Sequence, residues 1–404
     1  MTALSAIDLT DVDLFVSGEY HEAFAALRRE RPVHWNATAD GGGFWALTRY
    51  DDVLWAYRDH TLFGSEKGAI LGGSFRSDTD TAAGKMLVAT DLPRHRQLKQ
   101  QIHPALASHV AARVTERVRG LLDRAVDRLL AAGGGDFAVD VAPELPAGAL
   151  MEIMGIGYAD ARRLIGLTRG MVGFRDASLV DTADDERLRL AWLQAEVFEF
   201  FEEVVADRRV APKDDLVSTL LAARVNGRRL TDEEIFYNCM NVAVGGNETS
   251  SHTACAGMLA LVENRGSYDL LLAAPGHLEA AVEEILRWSS TNAYVQRVAK
   301  RDVERRGRRI RAGDSVTLWN CSANRDEEHF PDAHVFDITR SPNRHLSYGG
   351  GIHRCIGAPV AQLELSAVFE RVLLSGARLD LAGEPVRLRS NFILGMTGLP
   401  LKAV

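Results

Sequence analysis

One stretch constrains the fold more than any other, a continuous helical pattern from Thr231 to Gly266. Thr231 suits an N-cap, and Glu234 three positions on completes a capping box. The run IFYNCMNVAVGGNETSSHTACAGMLALVENR then places apolar residues around most of the helix circumference, and Gly266 offers a C′ stop. Roughly 34 residues at 1.5 Å each make a rod of about 50 Å. A buried rod of that length crosses a whole domain, and the rest of the chain has to pack around it.

The middle of this rod reads GGNETS. Glycine in a helix interior costs about 1 kcal/mol relative to alanine. Two in succession permit close approach of something flat or bulky, or a local opening of the helix. Thr249 lies four residues after Gly245, so its hydroxyl reaches that carbonyl and widens the turn. A helix crossing at small residues would account for the glycines equally well. Glu248 argues for more, because a carboxylate on a buried helix needs a reason.

Elsewhere helical periodicity dominates, as in SHVAARVTERVRGLLDRAVDRLLA and DERLRLAWLQAEVFEFFEEVVADRR. Short strand signals occur at FWALTRY, VQRVAK, RRIRAGDSVTLWN and ARLDL. These do not alternate with helices in βαβ order, so the expected class is mainly α with a small β component, α+β rather than doubly wound. No repeat or linker marks a boundary, and residues 1–404 read as one domain. A net charge of -8 argues against nucleic-acid binding. Four scattered cysteines make neither a disulfide framework nor a zinc ribbon and suit a reducing cytoplasm. The N-terminal stretch lacks a signal-peptide pattern, and no apolar run approaches the ~18 residues of a membrane span.

The second unusual stretch is SYGGGIHRCIG, Ser347 to Gly357, followed by a helical pattern. Cys355 therefore stands just before a helix N-terminus, where amide groups favour a thiolate. As a nucleophile it would need a histidine base, and His353 is poorly placed two residues away. As a zinc ligand it would need further ligands at matching spacing. As the axial ligand of a haem iron it needs no other protein ligand, and the glycines would let the backbone pass close to a flat porphyrin. A phosphate-binding loop is a fourth reading, but no strand–loop–helix–strand unit surrounds it.

This loop resembles the haem-binding signature of the cytochromes P-450, Phe-Gly-x-Gly-x-His/Arg-x-Cys-x-Gly, matched at Gly349, Gly351, His353, Cys355 and Gly357. Tyr348 stands in the phenylalanine place and brings a phenol near the sulfur. GGNETS is similar to the family's mid-helix acid–threonine motif, and Glu284 and Arg287 in EEILRW resemble its Glu-x-x-Arg pair. DLPRHRQLKQQIHPAL resembles its Asp-Pro-Pro-x-His-x-x-x-Arg segment, with His95 matched, Leu92 in place of a proline and Lys99 in place of the arginine. The resemblance runs from about residue 15 to the end.

It implies a single triangular-prism-like domain, with haem b held between the long helix and the cysteine loop and Cys355 as thiolate ligand. His95, Lys99, Arg297 and His353 would face the haem propionates, since buried carboxylates need neutralising partners. Glu284 and Arg287, which alone would read as a surface ion pair, become a buried network behind the haem. Glu248 and Thr249 would deliver protons for oxygen cleavage. Asn241, Val244, Gly245, Asn292 and Ile393 are the candidate substrate contacts, and Gly68 to Lys85 looks like a lid. The implied activity is hydroxylation or epoxidation of a small organic molecule, free or carrier-bound, with O2. Tailoring of a secondary metabolite or antibiotic is the implied setting. Electrons would come from a separate ferredoxin and its reductase, the ferredoxin docking on Arg94, Arg96, Lys99 and Arg354. Oxidative coupling, desaturation, peroxide-driven oxidation and an inactive helper protein are the alternatives.

Overall fold

The computed structural model describes residues 7–39, 41–71, 81–183 and 185–404. Helices make up about 53% of the described residues, and the strands fall into several small sheets. The central helix spans Asp232–Glu263. Its capping box is formed: Glu234 N donates to Thr231 Oγ1 at 3.3 Å, and Thr231 N donates to Glu234 Oε2 at 2.8 Å.

The helix ends earlier than its apolar pattern. Asn264 is the C-cap, and its side-chain amide donates to Ala260 O at 2.7 Å. An asparagine side chain competes with the backbone in this way and breaks the ladder. The chain then starts a second helix, Arg265–Ala273, so Gly266 lies inside that helix and does not stop the first.

The helices Ser108–Ala131, Glu144–Met154, Tyr158–Val172, Glu186–Val210, Leu278–Ser289 and Ala358–Leu374 share one large apolar core with the central helix. Gly257 allows one of the close approaches among them. A Cβ there would stand 2.6 Å from both Ile285 and Phe369, so its absence lets the central helix touch the helix that follows the cysteine loop.

A five-stranded sheet has the order Val33–Ala37, Gly43–Leu47, Ser315–Trp319, Tyr294–Ala299, Phe63–Gly64. Neighbours are antiparallel except for the parallel pair Gly43–Leu47 and Ser315–Trp319. Its fourth strand carries Arg297 toward the interior. Among the described residues, no helix is long and apolar enough to cross a membrane.

Candidate active site

A cavity of about 990 Å³ lies between the central helix and the cysteine loop. Cys355, Thr249, Glu248 and Gly245 line it, as do the cationic candidates His95, Lys99, Arg297 and His353. Asn241, Val244, Asn292 and Ile393 line the same space, and Glu284 and Arg287 do not. Of the expected lid, residues 72–80 lie outside the described residues, whereas Gly68, Leu71, Thr81 and Ala82 border the cavity.

The cysteine loop is shaped by its own neighbours. Gly349 and Gly351 have φ values of 65° and 62°, which disfavour any side chain. A Cβ on Gly351 would also overlap the carbonyl oxygen of Tyr57, in the helix Tyr50–Arg58. The positive φ calls for glycine at both positions, and at Gly351 the contact with Tyr57 requires it as well. Cys355 N donates to Tyr348 O at 2.9 Å and closes the loop. Cys355 is the exposed one of the four cysteines, because it opens onto the cavity. Protein packed around the sulfur pushes the thiol up, while the Gly357 amide, Arg354, the Ala358 amide and Lys99 pull the other way.

A cationic wall flanks the loop. Arg297 is buried, donates to Gln296 O at 2.7 Å and forms no ion pair among the described residues. Burial pulls the guanidinium down from its ordinary value. The rings of His95 and His353 are 4.2 Å apart. Burial, followed by the charges of Lys99 and Arg297, lowers His95 to about 4. His353 falls to about 2 through burial and the charge of Arg297. Ser65 Oγ holds His353 Nε2 at 3.0 Å, a partner that nothing in the sequence marks. Lys99 Nζ donates to Ile352 O at 2.9 Å and Arg354 O at 3.4 Å, which ties its helix to the cysteine loop.

Over the cavity, the mid-helix turn presents Gly245 and Gly246 as exposed residues in an otherwise buried helix. A Cβ on either would meet nothing within 4 Å. Thr249 Oγ1 donates to Gly245 O at 2.8 Å. Glu248 is 1% exposed and held on both oxygens: Asn247 Nδ2 reaches Oε1 at 2.6 Å, and His252 Nε2 reaches Oε2 at 3.0 Å. Arg169 Nε stands 3.7 Å from the same Oε2.

The family model for cytochrome P450 matches residues 184–271 and 277–375. A methyl-branched lipid omega-hydroxylase of Mycobacterium tuberculosis is 36% identical over 94% of this chain and 90% of its own length. The chain belongs to the cytochrome P450 family. Cytochrome P450 NovI of Streptomyces niveus is 33% identical over 99% of this chain and 97% of its own. The Mycobacterium marinum cytochrome P450 CYP268A2, solved with pseudoionone, superposes with a TM-score of 0.89 at 30% identity and 98% coverage of each chain.

Haem with a cysteine thiolate is the cofactor of a cytochrome P450, and the residues here fit it. Bare glycines on one wall and a sulfur on the other leave room for a flat ring. The buried Arg297, without a carboxylate of its own, supplies what a buried propionate needs. In this P450, Tyr348 replaces the usual phenylalanine, and its hydroxyl is buried with no hydrogen-bond partner among the described residues. Behind the site, Glu284 and Arg287 are both 0% exposed. Arg287 forks onto Glu284 at 2.8 and 2.7 Å and also donates to the carbonyls of Asn324, Ala333 and Val335. Glu284 further accepts from Asp337 N and Asn343 Nδ2, which fastens its helix to the segment leading into the loop.

Of the expected ferredoxin-docking cations, Arg94 is committed elsewhere. It donates to Glu234 Oε1 and Gly84 O, both at 2.5 Å. Arg96 and Arg354 remain exposed. The sequence reading also missed Asn247, His252 and Arg169 around Glu248, and Glu364, which accepts from Ser250 Oγ at 2.6 Å. The last had a signal, a carboxylate on an apolar helix.

Proposed function

We propose that this P450 monooxygenase hydroxylates or epoxidises a small, largely apolar organic molecule, with electrons from a separate ferredoxin and its reductase. One oxygen atom enters the substrate, and the other leaves as water after uptake of two electrons and two protons. Bound haem supplies dioxygen activation, which thiolate ligation favours. The chain's own residues divide the rest. Cys355 provides the sulfur, Arg297 offers charge and His95 and His353 offer ring nitrogens to propionates, and Lys99 holds the loop. Thr249 and Glu248, at the edge of the cavity, would relay protons to the reacting oxygen. Asn241, Val244, Gly245, Asn292 and Ile393 shape the substrate's place.

The observation that carries this reading is one cavity bounded by the Cys355 sulfur and by the turn of Thr249 and Glu248. An acid–threonine pair facing the cavity favours oxygen activation with external electrons over a peroxide-driven or haem-free role. The apolar lining suits a branched hydrocarbon, such as the lipid named for the mycobacterial relative, as well as a secondary metabolite undergoing tailoring. Residues 1–404 act as one domain, and a cytoplasmic setting belongs to the same proposal. The test is the reduced carbon monoxide spectrum of purified protein, alone and as Cys355→Ser. A thiolate-type band lost in the variant supports the reading. An unchanged band removes it.

A further inference from the structure

The cavity is apolar along most of its length, with Met86, Val88, Leu190, Phe198, Val244 and Phe392 in its wall. Besides Arg297 and Arg354 near the cysteine loop, three further arginines line it: Arg175, Arg187 and Arg389. They come from the turn after the helix Tyr158–Val172, the start of the helix Glu186–Val210 and the turn near residue 390. The three segments meet at the cavity. Asp176, next to Arg175, accepts from Arg389 N at 3.0 Å. Glu186, next to Arg187, accepts from Arg175 Nε at 3.0 Å and Nη2 at 3.3 Å. None belongs to the cationic wall beside Cys355.

The carboxylates near this cluster leave donors over. Asp176 is occupied by Ser178 and the Arg389 amide, and Asp185 caps its helix through the amides of Arg187 and Leu188. Glu186 and Asp13, which pair with Arg175 and Arg389, are 49% and 70% exposed, so their hold is weak and solvent-screened. Each guanidinium carries five N–H donors. Arg175 gives two of them to Glu186, Arg389 pairs with Asp13 through Nη1, and the Arg187 side chain forms no ion pair among the described residues. Three cations beside an apolar tunnel match one ligand chemistry, an elongated hydrocarbon that ends in a carboxylate.

Resting on the monooxygenase reading, we infer that the substrate is a long apolar carboxylic acid whose carboxylate is held by Arg187 with Arg175 and Arg389. The hydrocarbon lies along the cavity toward Cys355. The carboxylate is unchanged in the reaction. A carbon–hydrogen bond remote from it becomes carbon–hydroxyl, with dioxygen, two electrons and two protons consumed and one water released.

The test is a spin-state titration of the ferric holoenzyme with lauric acid, methyl laurate and dodecanol. The acid is expected to bind about ten-fold or more tightly than the ester or the alcohol, because charge-assisted bonds to arginine are the strong ones. The difference shrinks with added salt. In the double variant Arg175→Ala, Arg187→Ala the acid weakens to the level of the ester, while ester binding and the carbon monoxide spectrum stay as in the parent. Equal binding of all three ligands, no shift with any of them, or an undiminished acid preference in the double variant overturns the inference. In those cases an intact carbon monoxide spectrum leaves the haem-thiolate reading standing. A missing one removes both.

Discussion

His252 and Glu248, one helical turn apart and both buried, share a hydrogen bond of 3.0 Å. The other imidazole nitrogen, Nδ1, accepts from Met396 N at 3.2 Å, so the proton resides on Nε2. The histidine thus links the carboxylate to the C-terminal turn that carries Ile393. His252→Leu leaves a buried carboxylate and a buried amide each short of a partner, at a cost of about 2 kcal/mol. Urea unfolding of the holoenzyme measures it.

Thr249→Ala removes the hydroxyl that donates to Gly245 O. Product formed per NAD(P)H consumed is expected to fall by about ten-fold or more, while NAD(P)H oxidation continues. An unchanged ratio assigns Thr249 a purely structural role.

Arg287→Ala leaves Glu284 buried without its fork, and the carbonyls of Asn324, Ala333 and Val335 lose a donor. Breaking a buried pair of this kind costs about 3–5 kcal/mol. Arg287→Lys retains charge without the fork and should recover only part of that. Haem content and the unfolding midpoint report both.

Burial raises the Glu364 carboxyl to about 7, against a smaller opposing effect from the Ser250 hydroxyl. The folded protein then keeps this proton up to about pH 7, whereas the unfolded chain releases it near the ordinary 4.5. Between those values the folded state binds more protons, so stability falls as pH rises through the window and stays lower above it. Glu364→Gln removes that dependence. Its unfolding midpoint should gain on the parent's as pH rises from about 5 to about 8, and a gap independent of pH contradicts the assignment.

Tyr348→Phe deletes a buried hydroxyl that has no partner among the described residues. Such a group costs about 1–3 kcal/mol to bury. The variant is expected to unfold at equal or higher urea concentration. A clear loss of stability shows that the hydroxyl is bonded in solution.

The sequence announced what depends on local pattern. The capping box at Thr231, the back-bond of Thr249 and the helix after Cys355 all follow from spacings of a few residues. Gly266 misled because a competing local signal, Asn264, stood two positions earlier. What stayed hidden depends on tertiary contact. Ser65 reaches His353, and Asn247 reaches across to Thr168, with no periodicity to mark either pairing. Arg175, Arg187 and Arg389 carry no shared pattern in the sequence, and only the meeting of three separate segments brings them to one cavity.

The seat of Gly351 against the Tyr57 carbonyl has a practical outcome. The sulfur's position is inherited from a helix far upstream in the chain, whose side chain also reaches Asn320 at 2.8 Å beside the five-stranded sheet. Disturbances in the amino-terminal part of the molecule will therefore show in the colour of the iron, even where no altered residue touches the ring.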